Sequence, residues 1–501
     1  MEVDSDAGSR FADVTRNFLN WFQTRHGATF RSDLIAVEDL RGRNAGRGII
    51  AKQDIEANTV LFTIPRNAII CTATSALRDK IPGVFDIEND DAGQSDSEDE
   101  DGASSSQDSW TLLILVMIYE CLQGEASRWK PYLDVLPSAF DTPMFWSAAE
   151  LSQLQASALV AKVGKEEADL MIKTKIIPVV RAHEHVFFPA GSAKLDDAQL
   201  SELAHRMGST IMAYAFDLEK DDENGEVDEQ DEWVEDREGK TMLGMVPMAD
   251  ILNADAEFNA HINHGEDALT ATALRPIKAG DEILNYYGPL PNGELLRRYG
   301  YVTAKHSRHD VVELPWGLVE AELKERLGSR MALLDWDKMK QLAWSDEDFE
   351  ESFVLERSSE DPDSTGLLGG DAIFTSLPDE LGEQFKTFLK AIKKVGNVEF
   401  AVQALSDKDM RKDLYLQAVL GALQARERQY ATSLEDDERL MNAGQLTGRQ
   451  TMSVWVRSGE KQLLREAQSW IRRVLDEMRN DKASNRTTHG DDGPAAKRRR
   501  F

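Results

Sequence analysis

Strand-like runs occur in two groups that lie far apart in this chain, and helix-like segments fill the interval between them. The first group, between Leu34 and Ile70, contains three short β-branched runs that alternate with turn residues. The second group lies between Leu269 and Tyr287. This order of strands, helices and strands predicts one α+β domain that is split by a helical insertion.

Amphipathic spacing predicts helices outside the two strand groups. Residues 11–25 have helical spacing, with an apolar face that consists of Phe11, Val14, Phe18, Leu19 and Phe22. The helices expected in the insertion are Trp110–Leu122, Ala148–Leu159 and Leu200–Phe216. The segments with helical spacing after about Pro315 are Leu318–Leu334, Gln384–Val395, Leu414–Arg428 and Gln462–Met478. The chain is therefore expected to end in a second, all-α domain.

The net charge of −31 is concentrated in three acidic segments. Residues 86–108 carry −10, residues 217–238 carry −11 and residues 345–363 carry −8, so the rest of the chain is almost neutral. The composition of the first two segments predicts disordered loops. Such loops either resist aggregation or attract a basic protein. They argue against nucleic acid as a direct partner, because phosphate contacts need Lys and Arg.

The C-terminal segment carries a basic cluster. Residues 481–501 are expected to be disordered and contain KRRR at Lys497–Arg500. A terminal cluster of this kind is typical of a nuclear localisation signal. It predicts a nuclear protein, with the cytoplasm as a second location.

Several protein classes are disfavoured by the sequence. The apolar run Trp110–Leu122 is too short to cross a bilayer, so no membrane association is expected. Cys71 and Cys121 are too few for a zinc cluster or a disulfide framework, which fits a reducing, intracellular compartment. No metal site is predicted. A GxSxG nucleophile motif is absent, so hydrolase chemistry is unsupported.

Two stretches combine polar side chains with clustered phenols. Residues 245–262 (MVPMADILNADAEFNAHI) break an apolar run at a proline and then present Asp250 and Asn253. The tyrosines of residues 280–302 (GDEILNYYGPLPNGELLRRYGYV) are Tyr286, Tyr287, Tyr299 and Tyr301. Amides and phenol rings beside an apolar wall suit a small cationic cofactor and an amine substrate. LNYYG alone would also fit an edge strand with aromatic packing.

A glycine-rich turn, RGRNAGRG at residues 41–48, connects two of the expected strands. Gly46 and Gly48 would let the backbone approach a ligand closely or adopt a positive φ. The alternative is a simple connector between strands. The spacing does not match a phosphate-binding loop, which requires GxxxxGK[ST] and a following helix.

Together these motifs resemble the SET-domain lysine methyltransferases, in the branch related to Rubisco large-subunit methyltransferase. The matching segments are GRG at 46–48, MAYAF at 212–216, VPMADILN at 246–253, NYYG at 285–288, ELLRRYGYV at 294–302, YATSLEDDERL at 430–440 and VRSGEKQLL at 456–464. The resemblance implies an α+β SET fold with small sheets over residues 1–310, interrupted by a helical insertion at about 109–240. It also implies an all-α substrate-binding domain of the Rubisco methyltransferase type over residues 311–480.

The resemblance implies a role for individual residues. The residues expected to bind S-adenosylmethionine are Gly46, Arg47, Gly48, Asp250, Asn253 and Tyr299. Tyr287 would place its phenol at the transferred methyl group, and Tyr286 is the alternative for that role. Tyr214 and Phe216 would line the channel for the substrate lysine.

One position departs from the family's pattern, because Ala254 follows Asn253 where the family often has histidine. Alanine is harmless if the position contributes only backbone contacts, whereas activity is in doubt if the imidazole is required.

The resemblance thus predicts an enzyme that methylates a lysine of a basic, large-subunit ribosomal protein. The phenol-lined channel predicts the transfer of one methyl group, and the enzyme is expected to be a monomer. The alternatives are a nuclear non-ribosomal substrate, protein-histidine methylation, or an inactive SET-fold module that binds basic proteins.

Overall fold

The computed structural model describes residues 3–43, 45–85, 102–219, 241–327, 339–340, 343–344, 349–396 and 406–488. Most of the acidic segments 86–108 and 217–238, and the whole basic cluster Lys497–Arg500, lie outside these ranges. The disorder expected for those segments therefore stays a prediction.

The two groups of strand-like runs, together with three further strands outside them, form two four-stranded sheets. The strands are β1 Thr29–Phe30, β2 Ile35–Asp39, β3 Arg47–Ala51, β4 Val60–Pro65, β5 Ala215–Glu219, β6 Thr241–Met245, β7 Asn253–Ala254, β8 Ala260–His264, β9 Ala268–Ala273, β10 Glu282–Asn285, β11 Val312–Pro315 and β12 Ser352–Leu355. One sheet has the order β1-β4-β9-β8 and the other has the order β2-β3-β10-β7. Each sheet combines strands from before and after the insertion, which confirms the predicted split α+β domain.

The longest α-helices occupy the regions that amphipathic spacing indicates, and most of the short ones lie outside those regions. The α-helices are α1 Val3–Gln23, α2 Leu77–Lys80, α3 Pro82–Phe85, α4 Gly102–Gln123, α5 Lys130–Leu133, α6 Ala148–Leu151, α7 Lys165–Met171, α8 Ile177–Ala182, α9 Glu184–Phe187, α10 Asp197–Tyr214, α11 Asn292–Tyr299, α12 Trp316–Leu327, α13 Asp379–Gly396, α14 Lys408–Arg428, α15 Leu434–Ala443 and α16 Gly448–Thr488. Phe18 and Phe22 of α1 are fully buried, as the predicted apolar face requires. Among the described residues, no helix is both long enough and apolar enough to cross a membrane.

The insertion departs from the predicted helices at several points. Helix α4 begins at Gly102, inside the segment predicted to be a disordered loop. The helix predicted over 148–159 is wrong, because α6 ends after one turn and two 3₁₀ helices, Ser152–Leu154 and Ala158–Val163, follow it. Gln155 between them has a φ of 56°, which interrupts a helix. The insertion then ends in the antiparallel pair β5–β6 rather than in a helix.

The C-terminal region is mainly helical, and it also contains a two-stranded sheet that the sequence does not predict. Strands β11 and β12 pair antiparallel. Phe353 and Leu355 of β12 are buried, so part of the acidic segment 345–363 belongs to the folded core rather than to an insertion. Helix α16 continues to Thr488, beyond residue 480, where the unstructured tail is expected to begin.

The insertion joins the two domains. Ser157 Oγ donates to Glu460 Oε1 on α16 at 2.6 Å, and Gln155 exchanges hydrogen bonds with Thr432. An apolar cluster lies beside these bonds and consists of Trp146, Leu154, Leu159, Leu296 and Val456. The 3₁₀ segments that replace the predicted helix therefore form much of the contact between the domains.

A buried ion cluster lies within the C-terminal domain. Asp437 on α15 is 0% exposed, and so is the Lys461 side chain on α16. Arg457 Nη2 donates to Asp437 Oδ1 at 2.7 Å, and Lys461 Nζ donates to Asp437 Oδ2 at 2.5 Å. Because a charge left without its partner inside a protein is strongly unfavourable, the folded state depends on this carboxylate.

We expect Asp437→Asn to lower the free energy of unfolding by about 3–5 kcal/mol, because two buried cations would lose their counter-ion. Glu438→Gln, at an exposed position on the same helix, is the control and should change it by about 0.5 kcal/mol or less. Urea unfolding followed by circular dichroism measures both. Equal effects of the two substitutions would contradict the role assigned to the cluster.

Candidate active site

Strand β10 lies at the centre of the candidate site. It pairs antiparallel with β3 and parallel with β7, with Asn285 opposite Ala254. The interpretation of LNYYG as an edge strand is therefore wrong, because β10 has a partner on both sides. Tyr286 and Tyr287 follow its last residue as a loop. Ala254 contributes its backbone to this pairing.

Two asparagine side chains fasten the segment 253–259 to the neighbouring strands. Asn253 Nδ2 donates to the Arg47 carbonyl at 3.1 Å and to Glu282 Oε1 at 2.7 Å. Asn259 Nδ2 donates to the Glu282 carbonyl at 2.8 Å, and its Oδ1 accepts from the Leu284 amide at 2.8 Å. The two amides thus satisfy buried polar groups of β3 and β10 and fix these strands relative to one another.

Gly46 and Gly48 have different surroundings. A Cβ at Gly48 would lie 2.3 Å from Leu40 Cδ1 and 2.7 Å from Glu282 Oε1, whereas a Cβ at Gly46 would have no atom within 4 Å. Neither glycine has a positive φ, so that part of the prediction is wrong. Gly48 is required by the packing of the protein's own side chains, and Gly46 borders open space.

The Arg47 side chain points toward α1 and the insertion. Its Nε donates to Thr15 Oγ1 at 2.9 Å, and its Nη1 donates to the Val135 carbonyl at 2.9 Å. The guanidinium also lies over the Phe11 ring, 4.0 Å from the centroid. The side chain therefore anchors β3, and the contribution of Arg47 to the site is its backbone.

Tyr287 belongs to a group of buried phenols. Its hydroxyl donates to the Leu252 carbonyl at 2.9 Å, and its ring stacks on Tyr299 with centroids 4.7 Å apart. The Tyr301 ring lies 6.1 Å from that of Tyr299. Burial raises the pKa of Tyr287 well above its ordinary value, and the neighbouring phenols add to the rise. We call Tyr214, Tyr287, Tyr299 and Tyr301 the phenol cluster.

Tyr286 lies in different surroundings. Its ring stacks on Phe258, with centroids 4.5 Å apart and 16° between the planes. Burial raises the pKa of Tyr286 to about 12, and the charge of Asp361 contributes to the rise. The structure thus places Tyr287, and not Tyr286, against Tyr299.

The two expected channel residues are separated at the end of α10. Tyr214 is the last residue of that helix, and burial raises its pKa to about 12, with smaller effects from Asp250 and Tyr299. Phe216 lies on β5, where its ring is 6.3 Å from that of His264. The structure therefore brings Tyr214 into the phenol cluster and places Phe216 beside β8.

Asp250 is held by a residue that the sequence analysis does not identify. The Tyr132 hydroxyl, from the insertion, donates to Asp250 Oδ2 at 2.7 Å. Asp250 Oδ1 is buried and accepts no hydrogen bond of normal geometry from the described residues. Burial raises the pKa of Asp250 to about 7, although the Tyr132 bond acts in the opposite direction. No motif marks Tyr132, because it is 118 positions away from Asp250 and meets it only in the fold.

The phenol cluster is suited to positioning a ligand rather than to acid–base catalysis. Burial raises the pKa of all four of its tyrosines, so the hydroxyl groups stay protonated at neutral pH. A protonated phenol offers an aromatic face to a cation and lone pairs to a donor. In the part of the chain that the structure describes, no three His, Cys, Asp or Glu side chains are arranged to hold a metal ion.

Comparison with protein families divides the chain as the fold does. The SET domain matches residues 46–288, which include most strands of both four-stranded sheets and the insertion. The Rubisco LSMT substrate-binding domain matches residues 378–464, within the C-terminal helices.

Curated relatives match part of the chain. Ribosomal lysine N-methyltransferase 4 of Saccharomyces cerevisiae is 32% identical over 65% of this chain and 63% of its own length. N-lysine methyltransferase SETD6 of Mus musculus is 30% identical over 60% of this chain and 57% of its own length. The matched region thus spans less than two thirds of either relative.

Solved structures match nearly the whole chain. Rubisco LSMT bound to AdoMet has a TM-score of 0.58 at 19% identity, covering 96% of this chain and 97% of that one. The SET domain of LSMT bound to MeLysine and AdoHcy has a TM-score of 0.60 at 19% identity, with the same coverage. These similarities establish the fold.

The wild-type protein should lose stability as the pH rises and Asp250 ionises, and we expect Asp250→Asn to abolish this loss. Because burial raises the Asp250 pKa from 3.8 to about 7, its carboxyl group stabilises the fold fully below pH 3.8, and this stabilisation is lost as the pH rises through 7. The free energy of unfolding of the wild type minus that of the variant should therefore fall between pH 5.5 and 8, by on the order of 2 kcal/mol. Urea unfolding at several pH values measures it, and a difference that does not vary with pH would contradict the raised pKa.

Proposed function

This chain belongs to the SET-domain family, in the branch with a Rubisco LSMT substrate-binding domain, and we propose that it is an S-adenosylmethionine-dependent protein-lysine N-methyltransferase. Two curated relatives from yeast and mouse are lysine methyltransferases by name. The matching LSMT structures are bound to AdoMet or to methylated lysine with AdoHcy. The arrangement of the site supports the same chemistry.

The observation that carries the proposal is the hydrogen bond of Tyr287. Since its hydroxyl proton is donated to the Leu252 carbonyl, the phenol oxygen presents only lone pairs to other groups. An acceptor oxygen of this kind suits the weakly positive C–H groups of a methyl group bonded to sulfonium. Stacking against Tyr299 fixes the Tyr287 ring in one orientation.

The residues of the site fit S-adenosylmethionine, which would supply an activated methyl group. Gly46 borders open space beside β3, where backbone can meet a ligand without an intervening side chain. The buried Oδ1 of Asp250 offers an acceptor for a cationic amine. We therefore assign cofactor binding to the backbone of residues 46–48 and to Asp250, Asn253 and Tyr299.

The substrate amine must be neutral to act as a nucleophile, and its ordinary pKa is about 10.4. A buried surface of phenol rings lowers the pKa of a lysine, because it disfavours the charged form. Tyr214 and Tyr287 would contribute to this surface. Both keep their own protons at neutral pH, so they would orient the amine rather than deprotonate it.

A large-subunit ribosomal protein is the substrate that we propose, with transfer of one methyl group. The similarity to the yeast ribosomal enzyme supports this choice, and the similarity to SETD6 supports a non-ribosomal substrate as the alternative. Asp255 and Glu257 share one counter-ion, Lys305, so this edge of the site keeps a net negative charge, which favours a basic partner. Protein-histidine methylation and an inactive binding module are further outcomes that the test must separate.

Incubation with radiolabelled S-adenosylmethionine and either purified ribosomal subunits or a nuclear extract tests the proposal. Label on one lysine of a large-subunit protein, with a mass increase of a single methyl group, would support it. Label on a nuclear protein would identify a non-ribosomal substrate instead, and label on a histidine would identify the enzyme as a protein-histidine methyltransferase. If no protein in either sample is labelled, the proposal of an enzyme is wrong and the inactive module that binds basic proteins is the remaining alternative.

We further propose that the protein is a monomer that enters the nucleus through Lys497–Arg500, which lie outside the described residues. Light scattering tests the first statement. Deletion of the cluster from a fluorescent fusion should abolish nuclear accumulation and tests the second.

We expect Tyr287→Phe to lower kcat by about a hundredfold, because it removes the phenol oxygen from the site. Tyr286→Phe is the matched control, since Tyr286 stacks on Phe258 away from Tyr299, and its kcat should stay within about threefold of wild type. Methyl transfer to the identified substrate measures both. A large loss in Tyr286→Phe alone would reverse the assignment.

Alanine substitutions at the two glycines should separate ligand contact from packing. Gly48→Ala should lower both the thermal stability of the ligand-free protein and the affinity for S-adenosylmethionine, because its Cβ would displace Leu40 and Glu282. Gly46→Ala should leave the stability unchanged, because its Cβ would enter open space. It should still weaken the affinity for S-adenosylmethionine by about tenfold, because the Cβ would keep the cofactor away from the backbone. Calorimetric titration and thermal unfolding measure these effects; unchanged affinity in Gly46→Ala would exclude a ligand at that glycine.

A further inference from the structure

A cleft lies at the C-terminal end of α1, outside the phenol cluster. It has a volume of about 280 Å³ and is formed by three separate parts of the chain. The lining residues used below are Trp21, Arg25, His26, Asn67, Arg128 and Trp129. None of them belongs to the site assigned to methyl transfer.

The walls of the cleft are held in place by buried hydrogen bonds. Trp21 Nε1 donates to the Arg128 carbonyl at 2.7 Å, and Trp129 Nε1 donates to the Ala68 carbonyl at 2.8 Å. The exposed fractions of Trp21 and Trp129 are only 9% and 2%. The Trp21 ring also stacks on the Tyr132 ring, with 11° between their planes. The hydroxyl group of the same Tyr132 donates to Asp250. The cleft is therefore built on a rigid part of the fold.

Two arginines lie on these tryptophans. The Arg25 guanidinium is 5.1 Å from the Trp21 ring centroid, and the Arg128 guanidinium is 3.9 Å from the Trp129 ring centroid. Stacking on an aromatic ring fixes the plane of a guanidinium and leaves its edge available for hydrogen bonds. Arg128 donates to the Thr74 carbonyl at 2.8 Å.

No carboxylate is among the residues that line the cleft beside the two arginines. Within the described ranges, neither Arg25 nor Arg128 forms an ion pair with a carboxylate. Burial lowers the pKa of Arg128, Glu120 acts in the opposite direction, and repulsion from Arg25 adds a smaller lowering. Glu120 is itself buried and accepts hydrogen bonds from Ser75 and Ser127 at 2.7 Å, so it offsets part of the Arg128 charge from outside the cleft lining. An incoming anion would relieve the repulsion between the two guanidinium groups.

We infer that this cleft binds a phosphate monoester through Arg25 and Arg128. Two planar guanidinium groups match the geometry and charge of a phosphate dianion, and they bind it more tightly than isolated lysines would. His26 and Asn67 lie at the rim and add further polar groups. A phosphorylated side chain of a protein and a free phosphate ester share this chemistry.

Calorimetric titration at constant ionic strength tests the inference with three probes: inorganic phosphate, a phosphoserine peptide and the same peptide without phosphate. We expect saturable binding of phosphate with a Kd of about 1 mM or lower. A tighter Kd for the phosphoserine peptide would assign the cleft to a protein-borne phosphate, and an equal Kd would assign it to free phosphate esters. The unphosphorylated peptide should not bind.

Arg25→Gln and Arg128→Gln should each raise the Kd by about tenfold or more, because each removes one guanidinium. Arg25→Lys should recover only part of the affinity, since an ammonium group lacks the planar fork. Arg16→Gln is the matched control, because Arg16 lies on the same helix, is exposed and pairs with Asp13. Both arginines also donate hydrogen bonds within the protein, Arg128 to the Thr74 carbonyl at 2.8 Å and Arg25 to the Trp21 carbonyl and Thr24 Oγ1 at 3.3 Å, so thermal unfolding of each variant accompanies the titration.

Absence of saturable phosphate binding to the wild type would overturn the inference. So would an equal loss of affinity in Arg16→Gln and Arg25→Gln, because that result would indicate only general electrostatic attraction.

Discussion

The pairing of β10 with strands on both sides is the constraint on which the site depends. β3 approaches from the part of the chain before the insertion, and β7 approaches from the part after it. Asn253 connects the two by donating to the Arg47 carbonyl and to Glu282. Because Tyr287 comes two residues after the end of β10, this pairing also determines where its phenol lies. The glycine-rich strand and the tyrosines are thus brought together by one strand.

Parts of the chain outside the two sheets complete the site. Tyr132 from the insertion holds Asp250, and Arg47 is anchored by α1 and by the Val135 carbonyl. The insertion in turn contacts the C-terminal domain through Ser157 and Glu460. Such distant contacts close long loops and give a rigid site only when the whole chain has folded. A substitution in the insertion can therefore act on the candidate site through packing.

Local patterns predicted the longest helices and the strands β2, β3, β4, β9 and β10 correctly, and they missed most of the short elements. β-branched runs indicated β2, β3 and β4, and amphipathic spacing indicated α1, α10, α12, α13, α14 and α16, because each such segment buries one face. The prediction failed at 148–159, where helical spacing coincides with 3₁₀ segments that contact another domain. It also missed β11 and β12, which are only four residues long. Short elements carry too few residues for a periodic signal to exceed the background.

The sequence by itself determined the split α+β organisation, the helical C-terminal region and the residue types at the site, because these follow from periodicity and from short motifs. Only the tertiary structure decided which tyrosine faces Tyr299, since Tyr286 and Tyr287 are neighbours with identical side chains. It alone placed Tyr132 against Asp250, and it alone formed the cleft between Arg25 and Arg128. These arrangements join residues that are distant in the chain, and no local spacing records contacts that exist only after the backbone has folded.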